Sequence, residues 1–126
     1  MPLQVSIDHE QRFVHVAVSG VVKLPEVLDY YHRLVVEEAM RYPKLFDATR
    51  GEVELSADDL MELAAWVSAY ATFDPRGPVA IVAVSDANTA VMRLYVTLSR
   101  STRPVKLFTS VVKARGWLDD QLRSIA

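Results

Sequence analysis

The chain has 126 residues, 51% of them hydrophobic, with no cysteine and a formal net charge of −2. Such a length suits one domain, 1–126, whose apolar content builds a core without metal or disulfide support. Missing cysteine excludes disulfides, thiolate chemistry and sulfur-ligated zinc or iron–sulfur sites, and the near-balanced charge argues neither for nucleic acid nor for a membrane surface as partner, so neither is expected.

Leu3, Val5 and Ile7 alternate with Gln4, Ser6 and Asp8, the period of a half-buried strand. A polar turn, 8–12, then leads into Phe13-Val14-His15-Val16-Ala17-Val18, and so short a connection predicts an antiparallel hairpin. Pro25 suits the first turn of a helix over 25–40, with Leu28, Tyr31, Val35 and Ala39 facing inward. Leu45-Phe46 forms a short third strand. Gly51 breaks the chain, and 52–54 reads as a loop. Ser56 with Asp59 three residues on forms a capping box opening a second helix, whose stripe is Leu60, Leu63, Ala64, Val67 and Ala71.

After the turn at 74–78 comes the longest apolar run, Val79 to Val84. Its lack of alternation predicts a central parallel strand covered on both faces, and it is far short of the roughly 20 residues a spanning helix needs. Ser85-Asp86 caps a third helix with Ala87, Ala90, Val91, Leu94 and Leu98 inward. Pro104 precedes a last strand, Val105-Lys106-Leu107-Phe108, and Thr109-Ser110 caps a final helix with Ala114, Trp117, Leu118 and Leu122 on one side. Gly116 within that helix suggests a bend or a close approach. The order β-β-α-β-α-β-α-β-α predicts an α/β domain with a mixed, mostly parallel five-stranded sheet and about four helices. No basic-then-apolar leader opens the chain, so the expectation is a soluble, cytoplasmic protein.

The strand–strand–helix opening, the run Leu45-Phe46-Asp47 entering the loop before the second helix, and Val105 to Phe108 leading into Ala114, Trp117 and Leu118 together resemble the SpoIIAA-like superfamily. This is the fold of STAS domains and bacterial anti-sigma-factor antagonists, with the nearest likeness to a small STAS/SEC14-like branch. The resemblance implies a regulatory domain working by protein–protein contact. In the phosphorylated antagonists an Asp-Ser pair at the start of the second helix carries the switch. Its place is taken here by Ser56-Ala57, so the resemblance implies no phospho-serine switch.

Chemistry-bearing residues are sparse. His9, His15 and His32 have no partner at metal-site spacing, the four glycines stand apart, and no Gly-x-Ser-x-Gly elbow occurs. The expectation is no catalysis, no metal and no cofactor. The best polar constellation is Asp47, Thr49, Arg50 and Ser56, joined by Asp86 and Asn88, at the carboxyl ends of neighbouring strands where open parallel sheets bind ligands. The plainer reading is structural pairing within the loops. Trp66, Tyr70 and Phe73 lie beside the stripe of the second helix, either as a subunit interface or as packing under a neighbouring helix. Arg93 and Arg100 share a helix face near Arg103, a pattern more common on solvated faces than at phosphate sites.

Charge is unevenly divided, with twelve Asp/Glu against six Lys/Arg over 1–63 and four against eight over 64–126. Opposite signs in two halves can favour self-association or an acidic partner on the second half, but uneven sampling of surface charge is the better explanation. The reading is a non-catalytic interaction domain forming a homodimer. The alternative is a binder of a small apolar or lipid-like ligand, as the SEC14-like resemblance implies.

Overall fold

Alternating side chains in the first two segments set the frame of the fold. A computed structural model of the chain describes residues 2–71, 77–99 and 104–125. Strands β1 (Leu3–Asp8) and β2 (Phe13–Val18) form the expected antiparallel hairpin, in register from Leu3 opposite Val18 to Asp8 opposite Phe13. Its turn is closed by Gln11 N–H donating to Asp8 Oδ1 over 2.9 Å. Next come β3 (Gly20–Val22), α1 (Leu24–Val36), β4 (Lys44–Asp47), β5 (Gly51–Val53), α2 (Ala57–Ala71) and β6 (Val79–Val82). The chain ends with α3 (Asp86–Ser99), β7 (Val105–Phe108) and α4 (Val111–Ile125).

Five strands make one sheet in the order β1-β2-β4-β6-β7, with only β1 antiparallel to its neighbour. Side-chain parity divides it into two faces. Val14, Val16, Val18, Val79 and Ile81 pack with residues of α1, α2 and α3, whereas Leu45, Ala80 and Val82 pack with Ala114 and Leu118 of α4. β6 is therefore buried along its whole length, as its unalternating sequence predicts.

Several details differ from the expectations. First, β3 and β5 form a separate two-stranded parallel ribbon, where 52–54 was expected to be a loop. Gly51 permits it: a Cβ there would overlap Val18 Cγ1 and come within 2.8 Å of Gly20 O. Second, α1 stops at Val36, before the expected residue 40. Glu38 takes φ 57°, Ala39 N–H bonds Leu34 O at 2.8 Å, and Glu38 N–H bonds Val35 O at 3.2 Å, which together make a Schellman motif. Its buried face is Val27, Tyr30, Tyr31 and Leu34, so of the expected residues Leu28 and Val35 only flank it. Third, α3 is rotated. Asn88, Met92 and Tyr95 are buried and Val91 and Leu98 pack beside them, while Ala87, Ala90 and Leu94 are exposed.

α4 buries Ala114 and Leu118 with Trp117 against them, but Leu122 is exposed. Gly116 marks no close approach, since a Cβ there would meet nothing within 4 Å. Where α1 ends, buried Lys44 donates from Nζ to Met40 O at 2.6 Å and Tyr42 O at 2.7 Å, fixing the turn that feeds β4. Glu37 ties this corner to the first hairpin, accepting from Arg33 Nε at 2.7 Å and lying 3.2 Å from His9 Nε2. The Arg33 hydrogen bond, then that of His9, hold its carboxyl below the usual carboxylate range.

Candidate functional site

The residues at the carboxyl ends of β4 and β6 fall into two groups with different fates. Asp47 turns back on its own loop, accepting from Thr49 N at 2.9 Å and from Thr49 Oγ1 at 2.7 Å. Arg50 and Asp86 are exposed, and Asp86 is the first residue of α3. Asn88 is buried beneath them. Its Oδ1 accepts from Val53 N at 2.9 Å, and its Nδ2 donates to Ala48 O at 3.1 Å and Gly51 O at 2.9 Å. The side chain thus staples the β4–β5 crossover to α3 and seals the edge of β5 that faces away from β3. Four side-chain atoms of the constellation are satisfied internally: Asp47 Oδ1, Thr49 Oγ1, and Oδ1 and Nδ2 of Asn88. The polar character of Asn88 suggested a rim residue, but burial and three backbone partners make it a core one.

Ser56 lies apart from that knot, on an open groove of about 640 Å³. The groove floor is apolar, made by Leu24, Pro25, Val53, Leu55 and Val91, and its rim carries Lys23, Glu52, Glu54, Ser56 and Asp59. The two sides of the groove are the start of α1 and the passage from β5 into α2. The capping box forms in both directions: Asp59 N donates to Ser56 Oγ at 3.1 Å and Ser56 N to Asp59 Oδ2 at 3.0 Å. Across the gap Lys23 Nζ stands 4.0 Å from Glu54 Oε1, both side chains 61% exposed, a pair of little energetic consequence in water. Glu52 and Glu54, missed by sequence reasoning because 51–54 read as a loop, flank buried Val53 on the exposed side of a strand. Recognising the ribbon from its Val-Val and Glu-Val-Glu alternation would have found them.

Beneath α1, α2 and α3 lies a second space, a cavity of about 30 Å³ lined by Phe46, Leu63, Ile81 and Met92 among others. Tyr31 and Tyr95 meet inside it with hydroxyls 2.8 Å apart. It has room for about one water, whereas ligand pockets span roughly 300–1,000 Å³. Among the described residues no group of three His, Asp or Glu could hold a metal, and no helix is long and apolar enough to cross a membrane.

Of the aromatic line, Trp66 is half-buried and packs within the molecule, its ring 5.6 Å from Tyr31 and 6.1 Å from His32 of α1. The Tyr70 side chain and Phe73 lie outside the described residues, as do Arg100 and Arg103, while Arg93 is exposed.

Among solved structures, the chain is similar to an anti-sigma factor antagonist from Mycobacterium paratuberculosis. The two superpose with a TM-score of 0.60 at 20% sequence identity, over 93% of this chain and 92% of the other. The fold is SpoIIAA-like. At that identity the likeness concerns the fold alone. No protein-family model matches the chain, and no curated protein matches its sequence. The groove sits where α2 begins, beside Ser56 and Asp59.

Proposed function

We propose that this protein is a non-catalytic regulatory domain that docks a partner protein at the groove between α1 and α2. The observation that carries the reading is the groove itself, the large open concavity with an apolar floor, on a fold shared with an anti-sigma factor antagonist. Apolar floors with polar rims are the anatomy of protein interfaces. The one hydroxyl on the rim belongs to the helix cap, so the groove is furnished for contact and holds no activated nucleophile.

Docking here works without a phospho-serine switch. Ala57 offers no hydroxyl, and a phosphate on Ser56 would displace its cap and face Asp58 and Asp59. Intact-mass analysis of the protein from cells should accordingly find no stoichiometric phosphate on residues 56–59.

A photo-crosslinking side chain at position 25, exposed in the groove lining, tests the docking site directly, with position 106 on β7 as the comparison, since Lys106 is also exposed. An adduct of one defined mass from position 25, absent from position 106, is the expected result. Equal labelling from both, or none from position 25, sinks the reading.

A further inference from the structure

We infer that the groove recognises its partner through a basic segment carrying an apolar anchor, an inference that rests on the docking role proposed above. The rim bears the carboxylates of Glu52, Glu54 and Asp59 against the single ammonium of Lys23, which already faces Glu54. Asp58 adds a further exposed carboxylate in the first turn of α2. Glu52 in β5 and Glu54 just after it, whose N–H continues the ladder to Val22 O, lie on the same side, since Val53 between them is buried, and residues two apart in extended chain stand roughly 7 Å from each other. Carboxylates so close lie within one Debye length, about 8 Å at physiological salt, and act on an incoming charge together. Between them and the apolar floor, the complementary surface is one or two Lys or Arg side chains beside an aliphatic or aromatic residue.

The ribbon also excludes a competing mode of recognition at β5. Exposed strand edges capture peptides by adding a strand. Glu54 N–H already bonds Val22 O across the ribbon, and the outward Gly51 O and Val53 N both go to Asn88. No strand can add at those groups while Asn88 holds them. Recognition is left to side chains, and so to charge and apolar contact.

The probe is an eight-residue peptide alternating Lys and Leu, with its Glu-Leu counterpart as control, titrated into the full chain labelled with nitrogen-15. The Lys-Leu peptide should shift amide signals of 23–24, 52–59 and 91, and the Glu-Leu peptide should not. Glu52→Gln with Glu54→Gln, or a rise from 50 to 300 mM salt, should weaken binding about tenfold. Binding of the acidic peptide to these residues overturns the inference, as does binding of neither. Shifts of the same amides on concentrating the protein alone also overturn it, by assigning the groove to a second copy. A crosslink at position 25 that survives Glu52→Gln with Glu54→Gln unchanged leaves the docking role standing and removes the basic partner.

Discussion

The two ends of the β5 ribbon show opposite uses of polar residues. On the side of α3, Asn88 consumes every outward backbone group it can reach and is sealed from water. On the side of α1, Glu52, Glu54 and Lys23 stand in solvent around an apolar floor, with only one long ion pair among them. The contrast teaches that the first side is scaffold and the second is surface held in place by it. A substitution that respects this division should damage folding on one side and binding on the other.

The largest effect should come from Asn88→Ala. It leaves Val53 N, Ala48 O and Gly51 O without their partner in a buried site, and each such loss costs about 1–3 kcal/mol. Chemical denaturation should show a loss of about 3 kcal/mol or more. A loss under about 1 kcal/mol, the net worth of one ordinary hydrogen bond, would mean that water replaces the amide and that this side is not scaffold.

Gly51→Ala should follow. The new methyl meets Val18 Cγ1 on one side and Gly20 O on the other, and backbone oxygen gives way less readily than a rotamer. Overpacking of this kind costs about 1–3 kcal/mol. Thermal unfolding should fall accordingly, and a variant as stable as the parent would show that the ribbon separates freely.

Ser56→Ala sits on the boundary between the two regions. Losing the bond to Asp59 N should cost about 1 kcal/mol of stability. Because the hydroxyl belongs to the cap, docking should persist in the variant. Loss of docking with little loss of stability would instead make Ser56 a contact residue.

Much of the scaffold was legible in the sequence because its signals are local. The unbroken apolar run at 79–84 announced an interior strand, though only Val79–Val82 form it and Val84 is exposed, and Ser56 with Asp59 announced a helix start; both signals reside in a few adjacent residues. The ribbon was not legible, since its strands are three residues each and pair across some thirty positions of chain. The face of α3 was misread for a related reason. Apolarity favoured Ala87, Ala90 and Leu94, while Asn88 goes inward only because Ala48, Gly51 and Val53 wait there. The early end of α1 depends on Glu38 in a left-handed conformation more usual for glycine, which its residue type does not advertise. Of the site, Ser56 was legible as a helix cap from its spacing to Asp59, but it was grouped with Asp47, Thr49 and Arg50, from which it lies apart, and the acids beside it depend on the hidden ribbon.

Away from both regions, Glu37 supplies a pH reference for the fold. Its carboxyl is lowered in the folded protein, so its contribution is present above the ordinary carboxylate range and is lost as pH falls through the folded value. Arg33→Gln removes the largest cause of that shift, so it should lower stability slightly near neutrality, leave it unchanged below the folded value, and flatten the acid limb of the stability profile. An acid limb left in place would show that the Arg33–Glu37 pair, exposed as it is, contributes nothing in solution.

The smallest effect on stability, and the sharpest test of the comparison, belongs to Glu52→Gln with Glu54→Gln. Both side chains are solvated, Glu52 forms no ion pair among the described residues, and the Lys23 contact of Glu54 is long and screened. Surface changes of this kind usually stay within about 0.5 kcal/mol. Relieving repulsion between two neighbouring carboxylates should even offset what the Lys23 contact contributes. Denaturation midpoints should therefore coincide with the parent's, while partner crosslinking at the groove falls. If stability drops as it does for Asn88→Ala, the acids are part of the scaffold and the division fails. If neither stability nor crosslinking changes, the groove is open surface without a charge preference, and its contacts rest on Leu24, Pro25 and Val91 alone.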